Sequence, residues 1–304
     1  MSGPERSIAA LRVALIVPLV IISTILHTSV LFLFALIKLL LPFDGARRGL
    51  SRLLVLIAER WIAVNSWMLE HFTPTRVRVE GGESLRYAGW YLVISNHQSW
   101  VDILVLQKVF NRRIPFLKFF LKQELIWVPL LGLAWWALDF PFMRRHTPEQ
   151  LRRRPELQGA DIRETRAACE RFRHTPVSVM NFVEGTRYTA EKHARHATAF
   201  RHLLRPKAGG IAFVMNAMGE ILQSVVDVSI VYPQGVPTLF ELIGGGVPEV
   251  LVDIREREIP ADLVHGDYEA DPQFRERFQA WVNTLWTEKD ARIAAMREAS
   301  SMAK

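Results

Sequence analysis

The chain has 304 residues, half of them hydrophobic and 23% charged, enough apolar material for a sizeable core in one domain with a membrane attachment or in two domains. Cys169 is the only cysteine, which excludes an intramolecular disulfide framework and a cysteine-based metal site and fits a reducing compartment. A net charge of +7 points to an anionic partner, whether phospholipid head groups, nucleic acid or a phosphorylated substrate.

Residues 13–37 contain no Asp, Glu, Lys or Arg. About 25 residues at ~1.5 Å each match a ~30 Å hydrocarbon layer, and the run is too long for the core of a cleaved signal peptide. Pro18 and the polar group Ser23, Thr24, His27, Thr28 and Ser29 argue against a plain span, so one spanning helix and half of a buried hairpin both stay open. Residues 50–72 read as an amphipathic helix with Ser51, Arg52, Glu59, Ser66 and Glu70 on one side. Trp61, Trp67 and the arginines near its start suit it to a lipid interface, the alternative being a helix packed on the soluble domain. Lys38, Arg47, Arg48 and Arg52 follow the first apolar run and favour that side as cytoplasmic.

From residue 73 strand and helix patterns alternate, which predicts an α/β layout. Strands are expected at 76–80, 90–94, 177–183, 226–231 and 250–254, and helices at 103–110, 161–172 and 272–296. The Arg-dense stretch 144–158, with Pro148 and Pro155, reads as an exposed loop.

The strand at 90–94 runs into Ser95-Asn96-His97-Gln98-Ser99-Trp100-Val101-Asp102, where an imidazole stands five residues before a carboxylate. Within one helix two such residues point about 140° apart, so they meet only if His97 lies in the turn before the helix. Ser99 is then a candidate N-cap, with Asp102 in the first helical turn near the positive end of the dipole. With 9 His and 31 acidic residues in 304, a pair of this spacing is expected about once by chance, so the dyad alone is weak evidence. A second cluster follows the strand at 177–183. Glu184-Gly185-Thr186-Arg187 places a carboxylate, a hydroxyl and a guanidinium at a strand end, the edge of an α/β sheet where ligands bind. Gly185 lets a ligand approach the backbone, and Arg187 offers a planar fork for phosphate oxygens.

Together, Asn96-His97-x-x-x-x-Asp102 and Phe182-Val183-Glu184-Gly185-Thr186-Arg187 resemble the glycerophospholipid acyltransferases, specifically the 1-acyl-glycerol-3-phosphate (lysophosphatidic acid) acyltransferases, in motif order and spacing. Lys122-Gln123-Glu124-Leu125 with Pro129 and Gly132, Phe142-Met143-Arg144-Arg145, Lys207-x-Gly209, and Val228-Ser229-Ile230-Val231-Tyr232-Pro233 extend the resemblance over residues 76–233. Trp100 and the Pro-Phe-Met-Arg-Arg segment are similar to a bacterial inner-membrane branch. The chain departs from the pattern at Arg144, where many members carry an acid, and its C-terminal third matches no motif of the family.

The resemblance implies a mixed β-sheet flanked by helices at 73–304, with a C-terminal helical extension, behind membrane-embedded or interfacial helices at 1–72. It implies transfer of a fatty acyl group from acyl-CoA or acyl carrier protein, as co-substrate, to the hydroxyl of a lysophospholipid at the cytoplasmic face of an inner membrane rich in anionic lipids. No metal, prosthetic group or nucleic acid enters. His97 would be the general base and Asp102 its orienting partner. Glu184, Gly185, Thr186 and Arg187, with Arg144 or Arg145, would hold the acceptor phosphate, and Asn96, Lys122, Lys207 and Pro233 complete the substrate site. Ser99 would be structural, because the acceptor hydroxyl is itself the nucleophile. Two rivals are a metal-dependent phosphohydrolase using His97, Asp102 and Glu184 as ligands, and a non-enzymatic membrane-bound protein gripping nucleic acid or anionic lipid through the arginines at 152–154.

Overall fold

A computed structural model describes residues 3–143, 172, 175–196, 198–268 and 270–302. The expected helix at 161–172, except Phe172, and the loop at 144–158 lie outside the described residues, as do Arg144, Arg145 and Cys169.

The core is a six-stranded mixed sheet in the order β1-β8-β7-β2-β6-β3. Its strands are β1 (Arg76–Gly81), β2 (Tyr91–Ser95), β3 (Leu117–Phe119), β6 (Ser178–Phe182), β7 (Ser224–Val231) and β8 (Glu249–Arg257). β8 runs antiparallel to β7, and every other pairing is parallel. All five residues of β2 and all eight of β7 are buried, as central strands covered on both faces must be. A two-residue pair, β4 (Leu121–Lys122) with β5 (Phe142–Met143), stands apart. The five expected strands form within a few residues of their expected bounds. β3 was not expected: three residues behind Pro115 are too few to show an alternating pattern.

One face of the sheet is covered by α3 (Val101–Phe110), whose Val101, Val105, Leu106 and Phe110 pack with Tyr91 and Val93. The other is covered by α6 (Gly209–Met218) and α8 (Pro272–Met302), which bring Met215, Phe278, Val282 and Trp286 onto Leu92 and Ile94. α8 therefore helps build the core on this face, although it lies beyond every recognised motif. It also carries Lys289, whose side chain is fully buried, ion-paired with Asp227 and donating to Val228 O at 2.5 Å. A charge held there needs both partners.

α1 (Gly3–Leu40) and α2 (Asp44–Phe72) pack along each other. The polar side of α2 is divided. Arg52 and Glu70 are exposed, Glu70 pairing with Lys108, while Glu59 is buried, accepts from Tyr87 Oη at 2.7 Å and lies 3.6 Å from Arg112. Burying Glu59 against the α/β domain offsets its charge with partners that a helical wheel cannot show. Trp61 likewise turns toward α1, donating to Thr24 Oγ1 at 3.1 Å, whereas Trp67 stays half exposed. α4 (Leu131–Ala137) packs against both helices, and a Lys38–Asp139 ion pair at 3.0 Å ties its end to α1.

Candidate active site

β2, β6 and β7 are parallel, so their C-terminal ends deliver His97, Glu184–Arg187 and Tyr232 to one edge of the sheet. The turn after β2 is locked first. Asn96 Nδ2 donates to Ile230 O at 2.9 Å and Asn96 Oδ1 accepts from Ile230 N at 2.9 Å, so a buried amide continues the β2–β7 ladder with its side chain. Gln98 Nε2 adds a bond to Ile230 O at 3.1 Å. Asn96 is fully buried and serves the backbone.

Asp102, in the first turn of α3, has no exposed surface and accepts four hydrogen bonds. His97 Nδ1 lies 2.8 Å from Oδ2, which also receives Gln98 N at 2.6 Å and Ser99 N at 2.9 Å; Tyr232 Oη donates to Oδ1 at 2.6 Å. With Oδ2 accepting, Nδ1 carries the ring proton and Nε2 keeps its lone pair for a substrate. Burial and the neighbouring Asp102 charge push the Tyr232 phenol up, so it remains a donor. Phe182 stacks on the imidazole at 3.9 Å, and Phe119 stacks on Phe182 at 6.2 Å, fixing the ring plane. The His97 side chain remains 15% exposed.

Ser99 Oγ donates to Pro237 O at 2.5 Å and accepts from Val101 N at 3.2 Å. The helix begins at Val101, so its N-cap position is Trp100 rather than Ser99, with no side-chain cap bond from it. Asp102 takes over that work by reaching back to the amides of residues 98 and 99.

In the second cluster Glu184 is buried beneath the site. Its Oε1 accepts from His97 N at 3.4 Å and its Oε2 from Leu204 N at 3.3 Å. Burial pushes its carboxyl up to about 8, opposed by these amides and by Lys289. Gly185, at φ +68°, is exposed, and a side chain added there would meet Lys207 Cδ at 3.2 Å. Arg187 lies over the Trp100 ring at 5.1 Å, and Tyr188 N donates to His97 O at 2.7 Å, so this loop is bonded to the dyad turn. Lys192, on α5 (Ala190–His196), donates to Thr186 Oγ1 at 2.7 Å and Arg187 O at 3.0 Å. Lys207 N donates to Val183 O at 2.8 Å and its side chain is exposed. Three cations thus gather around the Gly185–Arg187 loop. Tyr232 and Lys192 were not among the expected site residues. Tyr232 stood within a recognised segment, but nothing in the order of residues says that its hydroxyl meets Asp102. The signal for Lys192 was only the density of basic residues after Arg187.

Pro233 is half-buried directly after Tyr232. Lys122 is exposed on β4, paired with Met143, which precedes Arg144 and Arg145 in the chain. An open cleft lies between α1, α2 and α4, lined by His27, Leu31, Trp61, Phe116, Trp135 and Phe140 among others. Phe116 and Phe119 pack in the same apolar cluster, so the aromatic wall behind His97 continues toward it.

Among the described residues no group of His, Cys, Asp and Glu is arranged to hold a metal ion.

Residues 76–233, a little over half of the chain, match the family model described as Acyltransferase. The chain is 24% identical over 257 residues to Lysocardiolipin acyltransferase 1 of Gallus gallus, covering 80% of this chain and 63% of that protein. It is 23% identical over 256 residues to 1-acyl-sn-glycerol-3-phosphate acyltransferase delta of Homo sapiens, covering 80% and 60%. The chain thus spans about three-fifths of the length of these relatives. Among solved structures it is similar to the 1-acyl-sn-glycerophosphate (LPA) acyltransferase PlsC from Thermotoga maritima, at 19% identity and a TM-score of 0.47, over 88% of this chain and 97% of that one.

Proposed function

The chain belongs to the acyltransferase family, and from that premise we propose that it moves a fatty acyl group from a thioester, on coenzyme A or acyl carrier protein, to the free hydroxyl of lysophosphatidic acid or a related lysophospholipid. The observation that carries the reading is the four-fold bonding of buried Asp102, which leaves His97 Nε2 as the free end of an oriented base beside three cations.

His97 Nε2 takes the acceptor hydroxyl proton as its oxygen attacks the thioester carbonyl. Asp102 stabilises the imidazolium that forms, and collapse of the tetrahedral intermediate breaks the carbon–sulfur bond. The leaving thiolate then takes the proton from Nε2. Positioned proton transfer of this kind is worth roughly 10² to 10⁴ in rate. The cycle draws on no metal or organic cofactor, and no acyl-enzyme forms. Arg187, Lys192 and Lys207, with the exposed backbone of Gly185, seat the acceptor phosphate, Arg187 being able to bind two oxygens at once. Glu184 serves this seat from below, holding the His97 backbone. The cleft behind Phe116 receives an alkyl chain, its wall being mostly apolar and aromatic.

The membrane is the source of such chains. The stretch Pro4–Leu40 of α1, 37 residues, is long and apolar enough to cross a bilayer. Its outward face is apolar: Leu11, Leu15, Ile22, Leu26, Leu33 and Leu40 face outward, while Ser23 and Thr28 are buried together with Ile16 and Leu31. α1 also touches the α/β domain near both ends, with Arg12 donating to Gly244 O at 3.4 Å and Lys38 pairing with Asp139. Those points are about 39 Å apart along the helix, more than the ~30 Å hydrocarbon layer, so α1 lies along the bilayer surface rather than across it. Arg47, Arg48 and Arg52 are exposed and suit an anionic cytoplasmic leaflet of the inner membrane. Nucleic acid has no place in this scheme.

Thioester consumption measured against a panel of lysophospholipids tests the proposal. The wild type is expected to release thiol with a phosphate-bearing acceptor and His97→Ala to release none while staying folded. A wild type inert with every acceptor would refute it.

A further inference from the structure

The segment at 127–136 is built against the rules of a soluble surface. Trp127 is 85% exposed and Trp136 52%, with Leu130 and Leu133 exposed between them. Leu133 and Trp136 stand three residues apart on one side of α4, and Trp127 and Leu130 lead into it, while Ala134 and Ala137 of α4 and Leu138 after it are buried with Leu31 of α1 and Leu54 of α2. α4 is therefore apolar all round although only one side of it is covered by protein, a pattern of helices whose other side faces a non-aqueous partner.

The arrangement is held in place. Leu130 sits at φ +63°, a conformation that a leucine adopts only when its surroundings impose it. At Gly132 an added Cβ would fall 2.0 Å from Ile126 O, so no other residue permits the close return of the chain that presents Trp127. A rigid knob carrying two tryptophans and two leucines resembles neither a solvated loop nor a hinge.

We propose that this knob is a second membrane contact, inserted into the head-group and acyl boundary of a phospholipid bilayer beside α1. Three observations select a bilayer as the occupant. The knob is continuous with the outward apolar face of α1, to which α4 is packed and ion-paired through Lys38 and Asp139. Its tryptophans are the side chain that lipid interfaces favour, an apolar ring with one polar N–H. The cavity between α1, α2 and α4 is lined by Leu131, Ala134, Trp135 and Leu138 of this segment, so an inserted knob places the opening where an alkyl chain can pass without crossing water. The inference rests on the lysophospholipid acyltransferase reading only for that last consequence. Insertion itself does not depend on turnover.

The test places a single cysteine at Leu133 in a Cys169→Ser background and labels it with an environment-sensitive fluorophore, with a second protein labelled at exposed Glu276 on α8 as reference. Bound to phosphatidylglycerol and phosphatidylcholine vesicles, the label at 133 is expected to shift to the blue and to be quenched by lipids spin-labelled near the head group, while that at 276 stays water-like. In parallel, Trp127→Glu with Trp136→Glu is expected to lower vesicle affinity on the order of ten- to a hundred-fold and to leave turnover of a short-chain, water-soluble acceptor unchanged. A label at 133 that stays water-like on vesicle-bound protein overturns the proposal. A blue shift without vesicles that grows with protein concentration overturns it too, because the knob then meets a second copy. A dry label on a protein inert with every acceptor upholds insertion and overturns only the catalytic reading.

Discussion

Asp102→Asn isolates the electrostatic part of the site from its geometry. An asparagine can place its oxygen at the Oδ2 position and keep the bonds from Gln98 N, Ser99 N and His97 Nδ1, while its NH2 faces Tyr232 Oη, a hydroxyl able to accept. The turn survives and the charge is lost. Across 2.8 Å, at an effective dielectric of about 20, a full charge attracts an imidazolium by about 6 kcal/mol. The asparagine oxygen retains the hydrogen-bonding portion, so about 3 to 5 kcal/mol is removed from the transition state, a fall in kcat of roughly 10² to 10⁴. KM for the acceptor should hardly move, since Asp102 has no exposed surface and touches no substrate. Stopped-flow measurement of thiol release, with circular dichroism to verify folding, reads both quantities. A folded Asp102→Asn enzyme within about three-fold of wild-type kcat would refute the assignment of a charged partner to His97.

Arg187→Ala and Lys192→Ala should each raise KM for a phosphate-bearing acceptor about ten-fold or more with a smaller change in kcat, read from initial rates at varied acceptor; a pure kcat effect would move these cations off the phosphate seat. Glu184 sets a pH dependence of stability. Its folded-state value of about 8 lies above the ordinary 4.5, so the folded chain holds a proton that the unfolded chain has released in that window. Its contribution is complete below 4.5 and is lost as pH rises through 8. The wild-type melting temperature should therefore fall more steeply across that range than that of Glu184→Gln, and parallel curves would contradict this. Lys289→Met leaves buried Asp227 with only the more distant Arg257 at 3.8 Å and should cost about 2 to 4 kcal/mol in urea unfolding, whereas a loss under 1 kcal/mol would mean that the pair is dispensable.

The sequence by itself determined whatever depends on neighbours along the chain. The dyad is five residues around a turn, so its meeting follows from local geometry. The buried strands β2 and β7 announce themselves as unbroken apolar runs, and Glu184–Arg187 takes its place at the strand end because β6 carries it there. Only the tertiary structure decided which groups from distant segments complete these pieces. Tyr232 reaches Asp102 from 130 residues away, Lys289 enters beneath β7 from a helix outside every recognised motif, and Glu184 turns inward to backbone amides although its motif position suggested the phosphate. The same limit hid the partners of Glu59 on α2, which are Tyr87 and Arg112, and the inward turn of Ser23 and Thr28 on α1. Amphipathicity read along a chain gives the direction of a helix's faces but not what each face meets, and that depends on packing, which brings together residues that the order of the chain keeps apart.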